Sequence, residues 1–304
     1  MTAFTVVMPA HRTADTIDAA IRSVLAQRRA DFELIVVDDG SDDGTHERAA
    51  AYAGDPRVRV LRQERAGVAW ARAAGIAAGS APLVCLIDAD DLWLPGYLDA
   101  MAGALAADPE AGFAYTDAWF LDVRTRRVRR ASAMHYQRPP AEAPASPETL
   151  FAALLQRNFI YNAVTLRRDV IDLVGPPDPR LPASVDWEWW LRIAAAGHRA
   201  VRVPGRLAVY RVRDASITSD PRKVLAGHEA LWRIVSGEYD LPAGLREELR
   251  RRSDRAAAEL AAQSRWQLIR RRIGIARERH LQRHAWHRSP PAELVEAFGD
   301  LRRV

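Results

Sequence analysis

Cysteine is nearly absent from this chain of 304 residues. The single one, Cys85, excludes a disulfide framework. Its place inside an apolar run predicts a buried, inert thiol rather than a nucleophile. Long apolar runs are missing too. The longest stretch without a charge, Ala73 to Ile87, is too short to cross a bilayer and is interrupted by Gly79, Ser80 and Pro82. Phe4 to Met8 is short and has no basic flank, so no secretory leader is expected. The expectation is a soluble cytoplasmic protein, at most peripheral to the inner face of a membrane. Lysine is scarce as well: Lys223 stands alone among 44 basic residues. The arginine bias goes with abundant alanine and reflects GC-rich coding more than a binding role. A net charge of +5 and a pI of 9.8 suit an anionic ligand or an anionic membrane surface. They fall short of the clustered basic face that nucleic-acid binding needs, so no nucleic-acid partner is expected. No internal repeat is visible.

What is present is an acidic cluster at the end of a hydrophobic run. Leu83 to Ile87 is apolar throughout and reads as a strand buried on both faces. It runs straight into Asp88, Asp90 and Asp91, at the end where open parallel sheets hold ligands. Clustered carboxylates repel one another, and a hard divalent cation relieves that cost. A metal-diphosphate site is one reading. A solvated acidic turn, with Asp90 or Asp91 capping the next helix, is the alternative these residues alone leave open.

Around this cluster strands and helices alternate. Strands are predicted at Phe4–Met8, ended by Pro9, and at 32–37, 58–61 and 83–87. Helices are predicted at 15–27, capped by Thr13 or Asp15, and at 46–53 and 67–78. That alternation predicts a mostly parallel sheet. Further on come a helix at 97–106, a strand at 113–123 with a hairpin at 125–130, and a proline-rich loop at 131–147. A helix at 147–157, a strand at 163–166, a helix at 186–196 closed by Gly197, and strands at 200–203 and 207–210 follow. From Pro221 onward only helices are predicted, near 221–236, 243–273 and 275–303. Arg270, Arg271 and Arg272 form a charge run there, read as a solvated face or as contact with an anionic membrane.

Three separated pieces, VVMPAHRTADTIDAAIRSVLAQ at 6–27, FELIVVDDGSDDGT at 32–45 and GVAWARAAGIAAGSAPLVCLIDADDLWLP at 67–95, together resemble the family 2 glycosyltransferases of the GT-A fold. The resemblance resumes at 185–216 with VDWEWWLR and VYRVRDAS. It implies an α/β fold: a Rossmann-like, mostly parallel sheet flanked by helices. Residues 1–220 would form the catalytic domain, with a nucleotide-binding half at 1–100 and an acceptor half at 101–220. Residues 221–304 would be a helical C-terminal extension. By this resemblance Pro9 and Ala10 floor the nucleotide base, and Asp39 accepts a ring N–H, which favours uracil or thymine. Arg72 lies near base and diphosphate. Asp88 faces the ribose and the metal, and Asp90 coordinates a Mn2+ or Mg2+ ion bridging both phosphates. Arg211 or Arg213 clamps the pyrophosphate. His11-Arg12 departs from the aromatic residue or asparagine of many relatives and leaves the base preference open.

Displacing a nucleoside diphosphate also needs a general base behind the sugar. The resemblance assigns that role to Asp186, with Glu188 the second candidate. An N-terminal helix position lowers the pKa of Asp186, while Trp187, Trp189 and Trp190 could raise it by excluding water. The plain readings are a turn residue for Asp39, a solvent-facing helix residue for Arg72, a loop brace for Asp91 and an N-cap for Asp186. Trp190 is expected in the core; packing is also the first expectation for Trp187 and Trp189, with stacking on a sugar as their alternative. The resulting expectation is an inverting, metal-dependent glycosyltransferase taking a nucleoside-diphosphate sugar to an acceptor hydroxyl. The alternatives are a sugar nucleotidyltransferase and a binding scaffold that has lost turnover. A homo-oligomer is left open. The acceptor side is expected from residues 131–160 and 212–220.

Overall fold

The structure, a computed structural model, describes residues 2–134, 138–212, 220–262, 287 and 291–299. Its first half runs β1 (Phe4–Ala10), α1 (Ile17–Leu25), β2 (Phe32–Asp39), α2 (Thr45–Ala50), β3 (Val58–Gln63), α3 (Val68–Ala78) and β4 (Leu83–Leu86). Then come β5 (Leu92–Trp93), α4 (Tyr97–Ala107), β6 (Ala111–Asp122), β7 (Arg127–Val128), α5 (Pro147–Gln156), β8 (Val164–Arg167), α6 (Arg168–Val174), α7 (Val185–Ala195) and β9 (Arg199–Val212). Three helices close the described chain: α8 (Pro221–Glu238), α9 (Ala243–Ala262) and α10 (Ala292–Phe298).

The strands form one sheet in the order β3-β2-β1-β4-β8-β6-β9-β5, with β7 on β6. Pairing is parallel from β3 through β4 and again between β6 and β9; β8, β5 and β7 join antiparallel. All seven residues of β1 are buried, because helices cover both faces. Alternate side chains divide accordingly. Val7 and Leu86 enter a core with α3, α5, α7 and α8. Val6, Met8 and Cys85 enter the opposite core with α1 and α4. Helix α3 lies so close on β1 that a Cβ on Gly75 would come within 2.4 Å of Val7 Cγ1.

Several boundaries differ from the sequence reading. Strand β1 continues through Pro9 to Ala10 on its β2 side; β4 pairs only as far as Val7, so the missing proline N–H breaks no bond with β4. The predicted strands at 200–203 and 207–210 are one strand, β9. Its register against β6 jumps from Thr116↔Val203 to Asp117↔Arg206, so Pro204 and Gly205 bulge out, with Gly205 at φ 90. Helix α1 starts at Ile17 rather than 15; its N-cap position is Thr16, which makes no side-chain cap bond, and the Thr13 carbonyl accepts from Thr16 N and Ile17 N. The short elements β5 and α6 carry too little periodicity to have been predicted. Helix α5 is started by Ser146, in a capping box with Thr149, and by Pro147. Within the tail, α8 buries Leu231 and Val235, and α9 buries Leu249, Ser253 and Ala256. Helix α10 returns to the sheet edge, where Leu294 is fully buried with Leu92, Trp119, Leu121, Val128 and Val209. Arg270, Arg271 and Arg272 lie outside the described residues.

Candidate active site

The chain leaves β1 toward β2 on one side and later returns to β4 on the other. The carboxyl ends of β1 and β4 therefore flank a topological switch point, where such sheets bind ligands. Pro9 and Ala10 end β1 there, both buried, and Asp39 ends β2 beside them. Asp39 Oδ1 accepts from Gln63 Nε2 at 2.7 Å and Ala66 N at 2.8 Å, and Oδ2 from Gly67 N at 2.8 Å. It thus fixes the turn that opens α3. A carboxylate offers about four acceptor positions, so roughly one remains on Oδ2. His11 Nδ1 donates to the Asp39 carbonyl at 2.9 Å. Arg12 forks onto Asp42 at 2.8 and 2.7 Å in an exposed pair. Asp38 orders the next turn through Ser41 N and pairs with Arg62.

Arg72 is 5% exposed, so its reading as a solvent-facing helix residue is wrong. Its place on the inner face of α3 brings Nη2 to Asp88 Oδ1 at 2.9 Å, and its Nε is a buried donor without a partner. Asp88 Oδ2 accepts from Asn162 Nδ2 at 3.1 Å. Asp90 sits half-buried at the turn. Asp91 is buried and braces the loop: it accepts from Arg211 N at 3.0 Å and from the Tyr161 hydroxyl. Burial, reinforced by the nearby Asp90 and Asp88 charges, pushes the Asp91 carboxyl well above its ordinary pKa. That strain among three acids is what a cation would relieve. Among the described residues no three His, Cys, Asp or Glu side chains form a metal cage. Two carboxylates completed by substrate oxygens are the pattern that suits magnesium or manganese, and Asp88 and Asp90 fit it.

Arg211 departs from the sequence reading. It is 2% exposed, its Nε donates to the Asp90 carbonyl, and its Nη2 donates to the carbonyls of Thr16 and Ala89. It supports the acidic turn from beneath, because β9 passes under that turn through its pairing with β5. Arg213 lies outside the described residues.

Asp186 is the second residue of α7, not its N-cap, which is Ser184. Asn158 Nδ2 donates to Asp186 Oδ2 at 3.0 Å. Desolvation raises the Asp186 pKa; the Arg72 charge and the Asn158 hydrogen bond pull it back, and the Asp88 charge adds to the rise. Asp186 is therefore within electrostatic reach of both Arg72 and Asp88. Glu188 is 1% exposed and committed elsewhere. It accepts from Arg192 Nε at 3.0 Å, Arg192 Nη2 at 3.1 Å and Tyr239 Oη at 2.8 Å. Trp187, Trp189 and Trp190 are all buried. Trp187 Nε1 donates to Leu154 O and Trp189 Nε1 to Gly175 O, and Trp190 stacks on Phe113 at 5.1 Å. None presents a face for stacking on a sugar.

The sequence reading missed the link between α5 and β8. Asn158, Tyr161 and Asn162 touch Asp186, Asp91 and Asp88 respectively. One signal was available: these are the only two asparagines in the chain, and they fall in one five-residue link. Cys85 is buried beside Thr165, its thiol pushed up to about 12 by desolvation, and takes no part.

A family model described as "Glycosyl transferase family 2" matches residues 5–162. The succinoglycan biosynthesis protein ExoO of Rhizobium meliloti is 32% identical over 217 residues, covering 70% of this chain and 62% of that protein. The matches span 65% and 37% of two other curated relatives, so in all three less than two thirds of the relative's own length is covered. Among solved structures, Staphylococcus aureus TarS 1-349 in complex with UDP-GlcNAc matches with a TM-score of 0.59 at 15% identity, over 84% of this chain and 72% of that one. The mannosyltransferase PcManGT of Pyrobaculum calidifontis, in complex with GDP-Man and Mn2+, matches with a TM-score of 0.59 at 19% identity, over 90% and 79%. At these identities the structural likeness speaks to the fold.

Proposed function

This chain belongs to glycosyl transferase family 2, and on that premise we propose that it moves a sugar from a nucleoside-diphosphate donor, UDP- or dTDP-linked, to an acceptor hydroxyl with inversion. The observation that carries this reading is the sharing of Arg72: it bonds Asp88 of the acidic turn and acts on the charge of Asp186 across the cleft. Pro9, Ala10 and the remaining acceptor position of Asp39 receive the base. The unpartnered Nε of Arg72 supplies a donor for the diphosphate. A divalent cation held by Asp88 and Asp90 would supply Lewis-acid stabilisation of the departing diphosphate. Asp186 takes the proton of the acceptor hydroxyl as its oxygen bonds to the anomeric carbon and the bond from that carbon to the diphosphate oxygen breaks. Its raised pKa suits a base that must hold a proton. One displacement with one base inverts the anomeric centre, the logic of single-displacement glycosidases. The UDP-GlcNAc and the GDP-Man with Mn2+ bound by the two structural neighbours support a nucleotide-sugar donor and a divalent cation. The succinoglycan biosynthesis of the Rhizobium relative supports a cell-surface glycan as product. Residues 1–100 would serve the donor and 101–220 the acceptor.

The test is a thermal-shift screen of UDP, dTDP and GDP with Mn2+ or Mg2+. A ligand at about a hundred times its Kd stabilises the native state by about 2.7 kcal/mol. A metal-dependent rise in Tm with UDP or dTDP, lost in Asp90→Ala, is expected. No shift with any diphosphate refutes the reading.

A further inference from the structure

We propose that Asn158 is a positioning residue for the general base, holding one oxygen of Asp186 so that the other is the one presented to the acceptor. The inference rests on the glycosyl-transfer reading of Asp186. Its basis is the hydrogen bonding of the Asn158 amide. The Oδ1 atom accepts from Ile160 N at 3.2 Å, which fixes the orientation of the amide and leaves Nδ2 as the end that meets Asp186 Oδ2 at 3.0 Å. An amide donor stabilises the carboxylate without adding a charge.

The link that carries Asn158 is anchored at both ends. Before it, α5 packs on α7 through Leu150 and Leu154, and the Leu154 carbonyl accepts from Trp187, the residue after Asp186. After it, Phe159 and Ile160 are fully buried. Tyr161 then bonds Asp91, and Asn162 bonds Asp88. One five-residue link therefore sets the base on α7 in register with the acidic turn after β4. A plain connection between a helix and a strand needs no such contacts. The charged groups facing Asp186 are Arg72 from α3 and Asp88 from the acidic turn. Asn158 and the Trp187 backbone N–H are its neutral partners, and loss of Asn158 leaves the Asp186 carboxylate less constrained and less stabilised as an anion.

The experiment compares the full chain with Asn158→Ala, Asn158→Ser and Asp186→Asn. It reads nucleoside diphosphate released from UDP-glucose, UDP-N-acetylglucosamine and GDP-mannose with Mn2+ and water as acceptor, as a function of pH. UDP thermal shifts report which variants are folded. Misplacing a reacting group by about 1 Å can cost about a hundredfold in rate. Asn158→Ala should lose about ten- to a hundredfold in kcat with little change in donor KM, and the acid limb of its pH profile should move to higher pH. Asn158→Ser keeps a short donor and should recover part of both. A folded Asn158→Ala with the kcat and acid limb of the native chain overturns the proposal. So does a loss equal in Ala and Ser with the limb unmoved, which is what a merely structural role produces. If Asp186→Asn turns over at the native rate, or the native chain releases no diphosphate, the reading of Asp186 itself fails. If Asp186→Asn is dead while Asn158→Ala is normal, only the role of Asn158 fails.

Discussion

Replacing Asp186 by Asn and Glu188 by Gln removes one negative charge each from the first turn of α7, and the two variants should fail in opposite ways. Glu188 is buried, and its oxygens accept three hydrogen bonds from Arg192 and Tyr239. Glutamine turns one oxygen into an NH2 group that faces a donor and leaves the Arg192 charge without its counter-ion. Breaking a buried pair from one side costs about 3–5 kcal/mol. The Arg192 side chain is 25% exposed, and solvent screening lowers the expectation below that range, to about 2–3 kcal/mol. At about 2 °C per kcal/mol for a chain of this size, Tm should fall by roughly 4–6 °C. The kcat of the folded enzyme should change little. Asp186→Asn has the reverse profile. Losing a general base costs about 10²- to 10⁴-fold in kcat, or about 2.7–5.4 kcal/mol on the barrier.

Burial holds the folded Asp186 pKa above its unfolded value. The stability from its bound proton is therefore complete below the ordinary carboxyl range, about pH 3.9, and is lost as pH rises through the folded pKa. Above that range burying this carboxyl is a net cost that asparagine removes. Asp186→Asn should therefore melt no lower than the native chain at pH 7, with any advantage shrinking as pH falls toward 4. Paired melting curves at both pH values and transfer kinetics decide the matter. A Glu188→Gln variant that is inactive with an unchanged Tm, beside an active Asp186→Asn, refutes the assignment of the base.

Arg72→Met removes the cation shared by two carboxylates. It should weaken UDP binding by at least tenfold in a titration and move the acid limb of kcat to higher pH, since Arg72 lowers the Asp186 pKa; unchanged binding and an unmoved limb contradict the shared-cation reading. Gly75→Ala forces a methyl into Val7 and should cost about 1–3 kcal/mol in urea unfolding, as overpacked cores do. Leu294→Ala should cost about 2–5 kcal/mol if α10 unfolds with the sheet. Limited proteolysis that releases α10 without altering the melting of the rest would show that it is an independent strap. Cys85 should resist alkylation at pH 8 in the native protein and react once the chain is unfolded in urea.

Much of the nucleotide-binding half was legible in the residues. Buried strands flanked by helices on both faces are written as unbroken apolar runs, and the acids that follow 32–37 and 83–87 fall at the strand ends, where those runs stop. Their chemistry follows from that placement: Asp88 and Asp90 lie four residues or fewer from the last buried position. Local pattern determined these features, because burial on two faces and the geometry of a strand end are properties of neighbouring residues.

Tertiary structure alone decided the rest. The resemblance implied a phosphate clamp at Arg211, yet its Nε and Nη2 donate to the backbone carbonyls of Asp90, Thr16 and Ala89. Asp186 and Glu188 look alike on one helix turn, and only the position of Arg192 and Tyr239 on one side, and of Arg72 and Asn158 on the other, separates the proposed base from a structural ion pair. Asn158 and Asn162 carry no local signal beyond their rarity. Their roles arise because sheet order brings β8 next to β4, so the link before β8 arrives at the acids that follow β4. Contacts between residues dozens of positions apart depend on how the sheet is closed, and no window of sequence contains that information.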